Sequence, residues 1–327
     1  MAHDHHADPH HDHDTHRHGN GSGSGDAHGD GPGAGHAGGH GGGHHHHGDL
    51  DWSAMGAYLE AQAELFAPLY RDALAWLARE AEEPGLIVDA GSGPGVVSCL
   101  LAEAFPDARV VAVDSAAPLL ARARARAAER GLDGRFDTLA GELPDVLAEL
   151  DQPAGLLWAG RSLHHLGDQR AALTAFAERL APGGTVALLE GGLPLRFLPR
   201  DIGFGRPGLQ TRLDAVQEEW FAGMRASLPG TVAETEDWPA LLTAAGLKDA
   251  RTRSFLIDLP APAGERARDY IAGDLSRLRE AGEERLDAED RATLDRLLDP
   301  SDPASVHRRP DVFVLGAYSV HTAVRPA

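Results

Sequence analysis

The sequence predicts an α/β fold: a doubly wound, mostly parallel seven-stranded sheet with helices on both faces. Three observations carry that prediction. From Leu86 to Glu190, short apolar runs alternate with helical stretches, as right-handed crossovers between parallel strands require. The first run, Leu86 to Val88, meets Asp89 and then glycines at 91, 93 and 95, followed by an apolar helical run from Val96 to Phe105. The second run, Arg109 to Val113, ends in Asp114. Glycines at that spacing let the backbone turn tightly and let a ligand approach with no Cβ in the way. A carboxylate at the end of the second strand accepts both hydroxyls of a ribose, so a nucleoside-containing ligand is expected there.

The remaining elements follow in order. From Asp51 to Glu80, apolar residues recur at helical spacing (Met55, Tyr58, Leu59, Leu65, Phe66, Leu69, Tyr70, Leu74, Leu77), predicting one or two amphipathic helices with a break near Pro68. Ala117 to Arg130 reads as a helix stopped by Gly131, and Arg135 to Leu139 as a third strand. Leu156 to Ala159 is the fourth strand, Gly160 to Asp168 a loop, Gln169 to Leu180 a helix, and Thr185 to Glu190 the fifth strand. Past Glu190 the rhythm breaks. A proline-bearing stretch from Leu193 to Glu236 carries one helix around Leu213 to Leu228. Then come a crossover helix from Trp238 to Ala245 and a strand from Arg251 to Leu259. Residues 265–298 hold two charged helices parted near Leu286 and Asp287, and Val312 to Thr322 is a last strand.

Composition bounds the function. Hydrophobic residues make up 42% of the 327, ample for a core, and no apolar run approaches the ~20 residues of a membrane span, so no membrane partner is expected. The formal charge is −20; without residues 1–48, which hold six Asp and one Arg, 44 acidic residues stand against 29 basic ones, or −15. Such a surface repels phosphate backbones and argues against nucleic acid. The single cysteine, Cys99, permits no internal disulfide and reads as a small core residue rather than a nucleophile. The first residues show no charged-then-apolar secretory pattern, and together these features point to the cytoplasm.

Residues 1–48 are low in complexity and contain 15 of the 19 histidines. With almost no apolar side chains, they are expected to be disordered, a tail in front of one domain spanning 49–327. Imidazoles at this density bind transition-metal ions as a loosely defined ligand set; the alternative is compositional drift or part of a tag. Elsewhere no metal site is expected.

Asp89, Gly91, Gly93 and Gly95 resemble the acidic-x-Gly-x-Gly-x-Gly signature of class I S-adenosylmethionine-dependent methyltransferases, whose sheet is Rossmann-like. Four further stretches fall in that family's order: Asp114, Gly141-Glu142, Leu163-His164-His165, and Leu180 to Gly184. The resemblance covers roughly residues 50–325 and is strongest from Gly85 to Glu190. It implies S-adenosyl-L-methionine as cofactor. The glycine loop, with Ser92, would pass beneath its methionine portion, and Asp89 would order that loop or meet the amino group. Asp114, beside Ser115, would hold the ribose; Glu142 and Leu143 would border the adenine; Ala159 and Gly160 would line the methionine end. The competing interpretation of each is a turn or cap residue.

The resemblance implies methyl transfer by in-line displacement to an O, N or C atom of a small organic acceptor, near the quinone and secondary-metabolite branch. An oxygen acceptor usually needs a base, and His164 or His165 stands where one would serve; alternatively the pair packs against or caps the next helix. Arg161 and Glu190 hold edge positions suited to a charged acceptor. Tyr58, Tyr70 and Trp52 would line the pocket, and residues 193–236 and 260–311 would form a helical cover. Arsenite methylation is excluded by the lone cysteine, and no module for protein substrates is visible. Two alternatives stand beside methyl transfer. One is an NAD-dependent oxidoreductase, whose glycine pattern would need glycine where Val96 stands. The other is a non-catalytic metal-handling protein built around the tail. The oligomeric state is left open.

Overall fold

Crossovers of this kind predict a sheet grown outward from the first strand, and the computed structural model, which describes residues 52–80 and 83–327, has that architecture. Its strands are β1 (Leu86–Ala90), β2 (Arg109–Asp114), β3 (Phe136–Ala140), β4 (Ala154–Gly160), β5 (Leu180–Arg196), β6 (Lys248–Leu259) and β7 (Val314–Val324). They form one sheet in the order β3-β2-β1-β4-β5-β7-β6. The first five strands are parallel, with Val88 beside both Val111 and Leu157, and β7 runs antiparallel to its neighbours β5 and β6.

The helices are α1 (Trp52–Leu65), α2 (Ala67–Glu80), α3 (Val96–Ala104), α4 (Ala117–Glu129), α5 (Gln169–Arg179), α6 (Leu209–Ser227), α7 (Trp238–Ala244), α8 (Glu265–Ala281) and α9 (Ala288–Leu298). Pro68 stands at the second position of α2, where its missing N–H costs no helical hydrogen bond. Asp168, Asp237 and Asp287 cap α5, α7 and α9 by accepting a backbone N–H within the first turn.

Because strand side chains alternate, β1 serves two cores. Ile87 joins one formed with α2, α3, α4, α6, α8 and α9; Leu86 and Val88 join the other, under α5 and α7. Residues of the expected cover, such as Leu213, Tyr270 and Leu294, thus share a core with the N-terminal helices. Cys99 is fully buried there, and burial pushes its thiol up to about 11, as suits a core residue.

The fifth strand differs most from expectation. It runs to Arg196 rather than stopping at Glu190, pairing Leu193 with Ala317 and Arg196 with Leu315. Gly191 and Gly192, at φ 67° and 127°, form a bulge rather than an end. A Cβ on Gly192 would lie 2.1 Å from the Ala317 carbonyl oxygen, so only glycine allows the strands to approach. The strand also begins early: Leu180, expected in the helix, pairs with Ala154, and the Pro182–Gly184 stretch lies within a register shift.

Among the described residues no helix is long and apolar enough to cross a membrane, and no cluster of His, Cys, Asp and Glu could hold a metal. The tail, its metal-binding histidines, the boundary at residue 48 and the side chain of Trp52 lie outside the described residues.

Candidate active site

Parallel strands bring their carboxyl ends to one edge, and the glycine loop occupies the centre of that edge. The Gly91 and Ser92 amides both donate to the Val113 carbonyl at 2.9 Å, fastening the loop to β2. Gly91 (φ 80°) and Gly95 (φ 74°) are required by crowding. A Cβ on Gly91 would come within 2.3 Å of Ser162 Cβ, and one on Gly95 within 2.5 Å of Ala123 Cβ. Gly93 is different, because its nearest atom would be Leu59 Cδ1 at 4.0 Å. At the middle of the loop a Cβ would therefore meet no clash, only ordinary contact with Leu59.

Asp114 organises this cradle. Its Oδ2 accepts from the Gly93 amide and its Oδ1 from the Ala116 amide, both at 2.9 Å. A carboxylate oxygen can accept more than one hydrogen bond, so this geometry is compatible with ligand hydroxyls. Ser92 Oγ is buried in the loop with no hydrogen-bond partner, a polar atom that suits a polar ligand. Gly141 N donates to the Asp114 carbonyl at 3.1 Å, drawing the turn after β3 alongside. Glu142 and Ser115 are exposed on that rim and Leu143 is half-buried. Ala159 is buried, and Gly160 leaves room for Trp158, whose Nε1 would be 2.8 Å from a Cβ there.

Asp89 lies beneath the loop, 2% exposed, accepting from Ser98 Oγ at 2.5 Å. Burial pushes its carboxyl up to about 7; the Ser98 hydrogen bond opposes that and the Asp114 charge adds to it.

The turn after β4 separates the two histidines. Buried Glu190 accepts from the Leu163 amide through Oε1 (3.0 Å) and pairs through Oε2 with His164 Nδ1 (2.9 Å). A carboxylate only accepts, so Nδ1 carries the proton toward Glu190, and Nε2 is the ring nitrogen left to serve a ligand. Arg225 of α6 fixes the same turn by donating to the carbonyls of His164 (2.8 Å) and Leu166 (2.6 Å). His321 Nε2 donates to the Glu190 carbonyl at 3.1 Å. His165 is exposed, and its ring lies 4.3 Å from that of His164 between centroids, with no side-chain hydrogen bond among the described residues. The structure therefore joins His164, and not His165, to an acidic partner.

A second group lies at the same edge. Arg161 Nη1 donates to Gln62 Oε1 of α1 at 2.7 Å, and its guanidinium lies 5.6 Å from the Tyr318 ring centroid. Gln62 Nε2 in turn donates to the hydroxyls of Tyr58 (3.1 Å) and Tyr270 (3.0 Å), whose rings stack at 6.0 Å. The expected Arg161, Tyr58 and Tyr70 are present in this recess; sequence reasoning missed Gln62, Tyr270 and Tyr318. The usable signal was compositional: the chain has only four tyrosines, and all four lie around Arg161.

Residues 87–184 match a family model described as a methyltransferase domain. Trans-aconitate 2-methyltransferase of Methylobacterium nodulans is 32% identical over 200 residues, covering 60% of this chain and 69% of that enzyme. The enzyme of the same name from Streptomyces avermitilis is 34% identical over 118 residues, covering 36% of this chain and 43% of its own. Demethylmenaquinone methyltransferase of Thermus thermophilus is 36% identical over 110 residues, or 33% of this chain and 47% of that protein. The chain thus spans less than half the length of the last two relatives.

Proposed function

Because this chain belongs to the class I S-adenosylmethionine-dependent methyltransferases, we propose that it transfers the cofactor's methyl group to an oxygen, nitrogen or carbon atom of a small organic acceptor. The observation that carries this reading is the glycine loop at the sheet's edge, with Asp114 at the end of β2 holding the Gly93 amide. In this reading Asp114 accepts the ribose hydroxyls, Glu142 and Leu143 border the adenine, and Asp89 faces the amino group. Ser92, Ala159 and Gly160 line the methionine end. When bound, S-adenosylmethionine supplies an electrophilic methyl group on a sulfonium. The protein's work is then to align the acceptor, exclude water and, where the acceptor must lose a proton, receive it. His164 Nε2 takes that proton, with Glu190 fixing the tautomer and steadying the imidazolium. The nicotinamide alternative loses ground at residue 96, where Val96 is 3% exposed in the first turn of α3.

Thermal melting tests the cofactor directly. A ligand that binds only the native state at ~100 times its dissociation constant adds about 2.7 kcal/mol, so S-adenosylhomocysteine should raise Tm by several degrees and NAD should not. A rise with NAD alone would refute the reading. For the base, His164→Gln is expected to lower kcat by roughly two to four powers of ten on an acceptor with a proton to lose, with S-adenosylhomocysteine affinity unchanged. An unaltered kcat would reduce His164 to a turn residue. The relatives named above act on an acid and on a quinone, two different classes, so the acceptor must be read from the recess itself.

A further inference from the structure

We propose that the acceptor carries a carboxylate, and that Arg161 receives it where its guanidinium meets side chains of α1, α8 and β7; the inference rests on the methyl-transfer reading. Arg161 follows Gly160 at the end of β4, and the next residue, Ser162, donates through Oγ to the Ala90 carbonyl at 2.7 Å. The guanidinium therefore springs from the edge of the cofactor cradle. Its backbone sits at φ 57°, in the left-handed region disfavoured for arginine, and its amide is held by the Leu189 carbonyl at 2.9 Å. Strain of this kind persists where the surroundings impose it, and such positions cluster at ligand sites.

The charge is the stronger argument. Among the described residues, the half-buried Arg161 forms no ion pair: it hydrogen-bonds the Gln62 amide and lies over the Tyr318 ring, and the Asp274 carboxylate acts on it only at longer range. The nearby Arg277 and Asp274 pair with each other at 2.7 Å, and Glu190 is taken by His164 and the Leu163 amide. Arg161 and Arg277, which also donates to the Tyr58 hydroxyl, thus face the single carboxylate of Asp274, and these three groups carry one positive charge in excess. A half-buried charge is costly unless something pairs with it, and a guanidinium matches a carboxylate through two parallel N–H···O bonds.

The other groups add donors. The hydroxyls of Tyr58 and Tyr270 accept from Gln62 and keep their own protons to donate. Those of Tyr70 and Tyr318 make no hydrogen bond among the described residues. Burial pushes the Tyr70 hydroxyl up to about 12 and raises Tyr58 and Tyr270, so these hydroxyls stay protonated at neutral pH. One positive charge in excess among phenolic donors balances a singly charged carboxylate better than a doubly charged phosphate.

Calorimetry on the full chain, saturated with S-adenosylhomocysteine, tests this. The probes are a panel of aliphatic and aromatic carboxylates that includes fumarate and benzoate, their amides, and phenylphosphonate. Carboxylates are expected to bind at least tenfold more tightly than the amides. Arg161→Gln should lose that preference with less than a twofold change in S-adenosylhomocysteine affinity, and Arg161→Lys, which keeps the charge but not the fork, should keep part of it. Equal binding of acid and amide, preference for the phosphonate, or binding by no acid would overturn the proposal. A loss of S-adenosylhomocysteine affinity in both Arg161 variants would overturn it too, by assigning the guanidinium to the cofactor. Failure of the wild type to bind S-adenosylhomocysteine would instead bring down the methyl-transfer reading beneath it.

Discussion

Asp114→Ala is expected to weaken S-adenosylhomocysteine binding more than tenfold, at least about 1.4 kcal/mol. Two losses combine in this variant. A hydrogen bond to a charged group contributes roughly 1.5–3 kcal/mol, and the ribose would lose its charged acceptor. The amides of Gly93 and Ala116 also lose the oxygens that accept them at 2.9 Å, so the loop that forms the cradle is no longer held in place. Asp114→Asn keeps one carbonyl oxygen and should fall between the alanine variant and the wild type. Titration calorimetry reads both. Unchanged affinity in the alanine variant would mean that the nucleoside binds elsewhere.

Asp89 should make both stability and cofactor binding depend on pH, in opposite directions. Its carboxyl is raised from an ordinary value of 3.8 to about 7, chiefly by burial. The native state therefore binds the proton more tightly than the unfolded chain does. The stability that goes with the protonated form is complete below about pH 4 and is lost as pH rises through about 7. Roughly three pKa units correspond to a loss on the order of 4 kcal/mol across that window. Asp89→Asn cannot ionise, so the unfolding free energy of the wild type relative to this variant should decline from pH 4 to pH 8, as denaturant titrations would show. Binding runs the other way. If Asp89 faces the cofactor's ammonium group, the ionised form is the competent one, and affinity should rise up to tenfold per unit as pH approaches 7 from below. The asparagine variant should be flat. A wild type whose affinity is equally flat would remove Asp89 from the amino group.

The residues that proved readable in the sequence are those whose meaning is local. Asp89, the three glycines and Asp114 lie at strand ends, where a change from apolar run to turn marks the edge. The fifth strand was misread for a local reason too, since Gly191 and Gly192 resemble a terminator and only pairing across to Ala317 reveals a bulge. The recess was largely illegible because its members are distant in the chain. Gln62 and Tyr270 touch across 208 positions, and Gln62 looks in the sequence like any polar residue of an amphipathic helix. The left-handed backbone of Arg161 leaves no trace in residue order. His164 and His165 are identical neighbours in sequence; only Glu190, arriving from the next strand, distinguishes them.

The position of β7 governs when the protein can begin to work during synthesis. It is made after β6 yet lies between β5 and β6, and β6 has no other strand beside it. Among the described strands β6 pairs with β7 alone, so it can join the sheet only after β7 has been made. Tyr318 belongs to that late strand, as does His321, which donates to the Glu190 carbonyl. The surroundings of Arg161 are therefore incomplete until the final strand is in place. Topology thus sets an order of assembly in which the acceptor side is completed last.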